Sequence, residues 1–484
     1  MRRILFTFVL FSSSLWAQTQ TPTPTPKPSI RNAEEQDPAT ETGKLKKNCP
    51  FKHVLGCAEV LFTGQPLHIA VGSMPPQNGF GAGLAYVGHN DTTDWSKSWS
   101  ADAIASANAS WRAGAYLKLV DTRIKTSQPV FGTGGASASD IQAYVERPVY
   151  NFYLQSISLN KLTFFGEGAG TSAAGRSFYG MTEHIVGGSL VHPLYEKLNM
   201  GWYGEINGRA VDIRPSRGQE SPSIEQVYSP ATAPGLANQP FFLQLGAGVR
   251  MRPSAFNNRL NFNYDAAYRP YFGVSDSGFS FQRLTLDLYQ EISLYRKFLF
   301  VARDTNDPND CRIDPADDTS KCPPVIKKEP KGSGAKSSSR SLEGKLGLRA
   351  YTALSMTPGS NVVPFYFQPT LGGADLNGNP SLSSYQDYRF RAPNLLLFQE
   401  VFEHSLGSWP VGFTLRADQG KVALLRGDLG SNHWVHSYAV GGTLRAGGFP
   451  MVYLLFAFGG HEGTHTIANV NTSLLGSSAR PSLF

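Results

Sequence analysis

The sequence predicts an all-β fold, a transmembrane antiparallel β-barrel of about 16 strands with a polar lumen. Three observations predict it. From Gly79 to the C-terminus the apolar residues recur with period two. Glycine (49 of 484 residues) and aromatics (12%) are abundant while charged residues are sparse (17%), the reverse of a disordered chain. The chain also opens on what reads as an export signal.

Residues 1–17 carry that signal: Arg2-Arg3, the apolar Ile4 to Leu10, and cleavage after Ala17 with Leu15 two residues before it. The apolar stretch is too short to cross about 30 Å of hydrocarbon as a helix. No later segment is longer than Met451 to Phe458, which is strand length, so strands must do any spanning. Residues 18–48, Thr-Pro repeats and then mixed charges, cannot bury a core and read as a disordered periplasmic linker. Residues 49–78 form a short segment bearing Cys49 and Cys57; a second local pair, Cys311 and Cys322, lies in a flexible insertion over 305–341. An even count at short spacing in an exported chain favours two disulfides, and no Cys-x-x-Cys supports zinc. The net charge of +7 is spread through the chain, which points to neither nucleic acid nor a polybasic membrane arm.

The barrel itself is expected over 79–484. Phe80, Ala82, Leu84 and Tyr86 share one face and Gly81, Gly83 and Ala85 the other. Leu284, Leu286 and Leu288 alternate with Arg283, Thr285, Asp287 and Tyr289; Leu346 and Leu348 with Lys345, Gly347 and Arg349; Val411, Phe413 and Leu415 with Gly412, Thr414 and Arg416. One wholly apolar face against one with charges, glycines and tyrosines fits lipid outside and a polar lumen inside; a soluble sandwich would turn its apolar faces inward. The alternation predicts strands near 79–88, 97–107, 110–120, 145–158, 160–167, 177–190, 198–213, 240–252, 259–270, 280–294, 342–356, 394–405, 409–418, 433–446, 449–459 and 465–475. With the first strand rising from the periplasm, the long loop after 356 is extracellular; the turns at Gly407-Ser408 and Gly447-Gly448 and the 305–341 insertion are periplasmic. Phe484 is a terminal aromatic after a Pro-containing tail.

Motifs for chemistry are weak. His461-Glu462-Gly463-Thr464-His465 matches H-E-x-x-H, but zinc needs both imidazoles on one helical turn. In extended chain they would lie about 13 Å apart. Gly332-Ser333-Gly334-Ala335-Lys336-Ser337 lacks the Gly-Lys-Ser/Thr order of a phosphate loop, Phe165-Gly166-Glu167-Gly168 with Thr171 has no surrounding βαβ unit, and no Gly-x-Ser-x-Gly elbow occurs. No catalytic residue, metal or cofactor is expected. The lumen candidates are Arg112, Lys118, Arg283, Asp287, Glu291, Lys345, Arg349, Glu400, Arg416 and Asp418, whose plainest role is to line a polar interior.

Pro364 to Asp418 carries a resemblance. Leu371-Gly372-Gly373, Leu382-Ser383-Ser384-Tyr385, Tyr388-Arg389-Phe390-Arg391, then Glu400 and Asp418-Gln419-Gly420, resemble the sixth-loop region of the bacterial surface antigen superfamily, which includes the outer-membrane protein assembly factor and the two-partner-secretion transporters. The Gly-rich Phe165 to Gly168 segment also resembles one at a strand end in those barrels. The resemblance implies a long sixth extracellular loop folded into the lumen and gripped by the wall at Glu400, Arg416, Asp418 and Gly420. Ser383-Ser384 stand where the family has Arg-Gly, and a serine cannot make the bidentate contact of a guanidinium. Asp418 then needs another cation, with Arg389 and Arg391 the candidates. The family's periplasmic polypeptide-binding (POTRA) repeats have no counterpart before Cys49, so by the resemblance the client-handling half is missing or lies on a separate periplasmic partner. The expected function is membrane-protein insertion or polypeptide or lipid translocation in the bacterial outer membrane, by a monomeric barrel with a weak seam between Gly79–Gly88 and the last strand near His465 to Leu475. Alternatives are a gated or passive channel, a surface adhesin or structural antigen binding through 121–142 and 214–238, and, remotely, an outer-membrane hydrolase.

Overall fold

A computed structural model describes residues 67–123, 148–216, 222–256, 259–299, 340–406, 411–430, 433–446, 449–470 and 481–483. The signal, the linker, all four cysteines, the 305–341 insertion but for Arg340-Ser341, Gly332 to Ser337, the Gly407-Ser408 and Gly447-Gly448 turns and Phe484 lie outside the described residues.

In chain order the strands are β1 (Leu67–Ser73), β2 (Phe80–Asp91), β3 (Trp95–Ser106), β4 (Trp111–Asp121), β5 (Val149–Phe164), β6 (Ser177–Tyr195), β7 (Met200–Pro215), β8 (Phe242–Met251), β9 (Ser254–Ala255), β10 (Leu260–Gly273), β11 (Phe281–Leu299), β12 (Arg340–Met356), β13 (Thr370–Leu371), β14 (Phe390–Arg391), β15 (Asn394–Ser405), β16 (Val411–Ala423), β17 (Val435–Ala446), β18 (Phe449–Gly460) and β19 (Gly463–Val470). Leaving aside the two-residue strands, sixteen remain among the described residues, and each pairs antiparallel with its sequence neighbour in one meander. β13 and β14 pair with each other, inside the segment that joins β12 to β15.

The meander wraps around that segment as a barrel. On β5 the side chains of Tyr153, Gln155 and Ile157 are buried, while Phe152 and Leu154 stand exposed. The same split runs round the sheet: Val186, Ile206, Leu284, Leu415, Tyr438 and Leu454 are all exposed. A water-soluble chain would not leave so continuous an apolar outer face.

The count agrees with expectation because two errors cancel. Segments 145–158 and 160–167 are one strand, β5. Its register against β6 shifts between Leu159 and Leu162, so the alternation slips by one residue and reads as a break. The barrel also begins ahead of Gly79: Leu67–Ser73 pairs with Tyr86–Phe80, a short edge strand with too little alternation to stand out. The expected first strand is therefore the second. In consequence β4 ends at Asp121 and β5 starts at Val149 at the barrel end opposite the β12–β15 segment, against the expected parity, while residues 124–142 of the expected 121–142 loop lie outside the described residues. The β7–β8 connection does lie at the loop end, where Phe365 donates its N–H to the carbonyl of Pro234 at 2.8 Å.

Candidate functional site

Residues 357–393 enter the barrel from one end and fill it. The entering limb is apolar. Phe365, Tyr366 and Phe367 form a single 3-10 turn and are at most 1% exposed. Their rings meet wall aromatics edge-on: Phe365 with Phe164 and Tyr179, and Phe367 with Phe242. A turn inside an apolar cluster leaves carbonyls without water, and two arginines supply the donors. Arg391 Nη1 donates to Phe365 O at 2.6 Å and Arg283 Nη2 to Phe367 O at 2.5 Å. Both guanidiniums also lie over rings, Arg391 over Phe164 and Phe365, Arg283 over Tyr271 and Phe281.

The returning limb is held through its backbone. Leu382 N donates to Asp418 Oδ2 at 2.8 Å, and Ser384 N donates to Ser437 Oγ at 2.8 Å. The carbonyl of Pro380 accepts from Gln399 Nε2 at 3.0 Å and from Arg416 Nη2 at 2.5 Å. Asp418 Oδ1 takes Arg416 Nε at 2.9 Å and Gln399 Nε2 at 3.1 Å. The cation beside Asp418 is thus Arg416, two residues away on the same strand face, and neither Arg389 nor Arg391. Gly420 lies on that face too; a Cβ there would stand 2.8 Å from Leu371 Cδ1, so its bare backbone makes room for the loop. Gly373, at φ +60° and with a would-be Cβ 2.2 Å from Asp387 Oδ1, needs glycine for conformation and for space. Ser383 and Ser384 are buried, and their hydroxyls have no partner among the described residues.

Glu400 is not part of this grip. On β15 the inward residues are Leu395, Leu397, Gln399 and Glu403; Glu400 shares the exposed outer face with Phe398. Strand parity decides this, and a carboxylate type alone does not.

Arg389 works elsewhere. Its Nε meets Glu462 Oε1 at 2.5 Å, while Nη1 and Nη2 donate to Thr171 Oγ1 at 2.9 Å and Thr171 O at 2.6 Å. The guanidinium also covers the rings of Phe165 and Phe390. The Phe165 to Gly168 turn completes this dock: Gly168 N donates to Arg391 O at 2.7 Å, and Gln368 Nε2 donates to Glu167 Oε1 at 2.5 Å. Burial pushes the Glu167 carboxyl up to about 7, against the pull of Gln368 and Arg391.

The H-E-x-x-H segment is a turn entering a strand. His461 and Glu462 form the turn, His465 lies in β19, and Glu462 is spent on Arg389. It has no helix to set two imidazoles on one ion. Elsewhere on the inner face other charges pair with one another: Arg349 with Asp287 at 2.6 Å, Lys345 with Glu291 and Glu403 at 3.4 Å each, and Arg112 with Asp102 at 3.1 Å. Lys118 on β4 shares the inward parity of Arg112 and Tyr116.

Contacts to the loop come from all round the ring. Tyr388 OH reaches Pro76 O at 3.1 Å, Thr163 Oγ1 reaches Asp387 O at 3.1 Å, and His461 N reaches Tyr385 OH at 3.4 Å. Sequence reasoning missed Glu167, Thr171, Gln399, Ser437 and Glu462. For Glu167 and Thr171 the signal was the glycine-flanked turn itself; for Glu462 it was hidden under a metal motif.

No protein-family model and no curated protein sequence matches the chain. Among solved structures the chain is similar to CdiB from Acinetobacter baumannii, with a TM-score of 0.44 and 10% identity over 83% of this chain and 58% of that one. It is also similar to BamA from Haemophilus ducreyi lacking POTRA domains 1-3, with a TM-score of 0.40 and 10% identity over 83% of this chain and 67% of that one. The chain spans less than two thirds of the CdiB chain.

Proposed function

We propose that this is an exported bacterial outer-membrane β-barrel that aids the insertion of membrane proteins or the translocation of polypeptide or lipid, plugged by residues 357–393. The observation that carries the reading is the buried loop: an entire connecting segment lies inside the barrel, with Leu382 and Ser384 bonded to Asp418 and Ser437. The exposed apolar outer face supports a lipid setting. β1 and β19, of seven and eight residues, are the shortest of the sixteen long strands, and no register joins them among the described residues. They replace Gly79–Gly88 and His465–Leu475 as the proposed seam, where a client strand would add by edge pairing. Bonds to the loop by charge-assisted groups let the plug stay shut at rest, which favours this reading over a passive pore. The residues of the loop grip hold the plug in place in this reading.

Purified protein reconstituted in liposomes should speed the folding of a second, unfolded barrel into the same vesicles. No acceleration by a correctly folded preparation would overturn the proposal. In planar bilayers, large steady ion-selective steps would favour the channel, whereas a silent or flickering trace agrees with the plug.

A further inference from the structure

The last described residues, Pro481 to Leu483, return to the inside of the barrel. Leu483 is 6% exposed and belongs to the apolar cluster that includes Leu376, Val211 and Phe242. Its N–H donates to Asn377 Oδ1 at 2.9 Å, and Asn377 Nδ2 donates to Ser482 Oγ at 3.2 Å. From the wall, Arg209 Nη2 donates to Ser482 O at 2.8 Å.

Both partners are built into place. Arg209 on β7 is fully buried and held by Glu183 on β6, Nη1 to Oε1 at 2.8 Å. Arg209 Nε and Glu183 Oε2 are buried with no partner among the described residues, so the slot has polar capacity beyond what these three residues use. Asn377 is set by its own turn: Asp375 Oδ1 accepts from Asn377 N at 2.9 Å and Asn379 N at 2.8 Å, and Asp375 Oδ2 accepts from Asn379 Nδ2 at 2.9 Å. The loop tip and the wall thus present one donor to a carbonyl, one acceptor to an amide, and an apolar recess one residue further on.

We propose that this lumen slot is a peptide-binding site, filled in cis by the chain's own C-terminal segment and able to take an extended polypeptide with a branched apolar residue at the same place. Arg209 and Asn377 read backbone, which every polypeptide carries; the apolar cluster that takes Leu483 selects the side chain. The site deepens the polypeptide-handling reading and rests on it for the source of the competing segment. Because the tail is joined to the barrel, its high local concentration keeps the slot filled until a competitor displaces it or the loop tip withdraws.

The test uses the full chain and a truncation ending at Arg480, both refolded in detergent, with a fluorescein-labelled pentapeptide of residues 480–484 as the probe. Anisotropy should show binding to the truncated barrel, at least tenfold weaker binding to the intact chain, and at least tenfold weaker binding of a peptide carrying Leu483→Asp. Asn377→Ala in the truncated barrel should lower affinity about tenfold, the loss of a buried side-chain contact. Equal binding to intact and truncated chains, or none to a truncated barrel with the strand content of the intact one, overturns the proposal. If the truncation fails to fold, the intact chain decides: carboxypeptidase should trim its C-terminus at least tenfold more slowly than that of Asn377→Ala, and equal trimming overturns the proposal. These readouts need only a folded barrel, so their failure leaves the insertion proposal standing, and a null liposome result leaves the peptide site standing.

Discussion

Between Pro364 and Phe367 the inward loop is held by rings; between Pro380 and Tyr385 it is held by hydrogen bonds from β15, β16 and β17. Both stretches are buried, but their stability depends on different things. The aromatic limb draws mainly on area removed from water, and the Arg391 and Arg283 bonds to its carbonyls are buried where salt screens little. The returning limb hangs on one carboxylate, Asp418, which accepts from Leu382, Gln399 and Arg416 together. A fixed limb joined to an addressable one suits a plug that stays in the barrel while its tip rearranges.

The largest change that would break this contrast is Phe365→Ala. Truncating a fully buried ring that touches three others should cost about 3–5 kcal/mol, read as a lower urea midpoint in detergent with little dependence on salt. A midpoint within error of wild type would remove the aromatic limb as an anchor.

Asp418→Ala comes next. It leaves Arg416 without its carboxylate and the Leu382 amide without an acceptor, and should cost about 3 kcal/mol. Loosening should centre on the tip, so a protease accessible to the loop end should cut near 380–385 faster than in wild type, whereas Phe365→Ala should affect the whole barrel. Identical cutting in the two variants would erase the distinction between limbs.

Glu167 sharpens the comparison through pH. It grips Gln368, the residue that closes the Phe365–Phe367 turn, and its folded carboxyl is raised from 4.5 to about 7 by burial. A raised acid binds its proton more tightly when folded, so its contribution is fully present below about 4.5, declines as pH rises, and is gone above about 7. The size is about 2 kcal/mol, scaled down for the part of the group that water reaches. Urea midpoints should therefore fall between pH 4.5 and pH 7, and Glu167→Gln should flatten that slope. An unchanged slope in the variant would assign the pH dependence to another group.

The smallest effect belongs to Ser383→Ala. The Ser383 hydroxyl is buried with no partner among the described residues, so removing it should leave the urea midpoint unchanged or slightly raised. A loss above about 1 kcal/mol would show that the hydroxyl is used.

Much of the fold was legible because the in-out alternation of a strand is written in consecutive residues. Leu284, Thr285, Leu286 and Asp287 declare their faces without reference to anything distant, and the loop was marked by Gly372-Gly373 and the paired arginines at 389 and 391. The bulge at Asn160-Lys161 and the short β1 were misread for the same reason, since each supplies too little unbroken alternation. Glu400 was misplaced because residue type was weighed above parity: with Phe398 outside, Glu400 is outside as well.

The amino-acid sequence by itself determined the period-two strands, the long connection between β12 and β15, and the apolar face that meets lipid in the proposed setting. Only the tertiary structure decided that the Leu382 amide reaches Asp418, that Glu462 holds Arg389 instead of water on a metal, and that Ser482 reaches Arg209. The reason is geometric. These pairs are brought together by strand order and register, some across hundreds of residues, and a slip of one residue in a strand would turn each wall partner to the other side of the sheet.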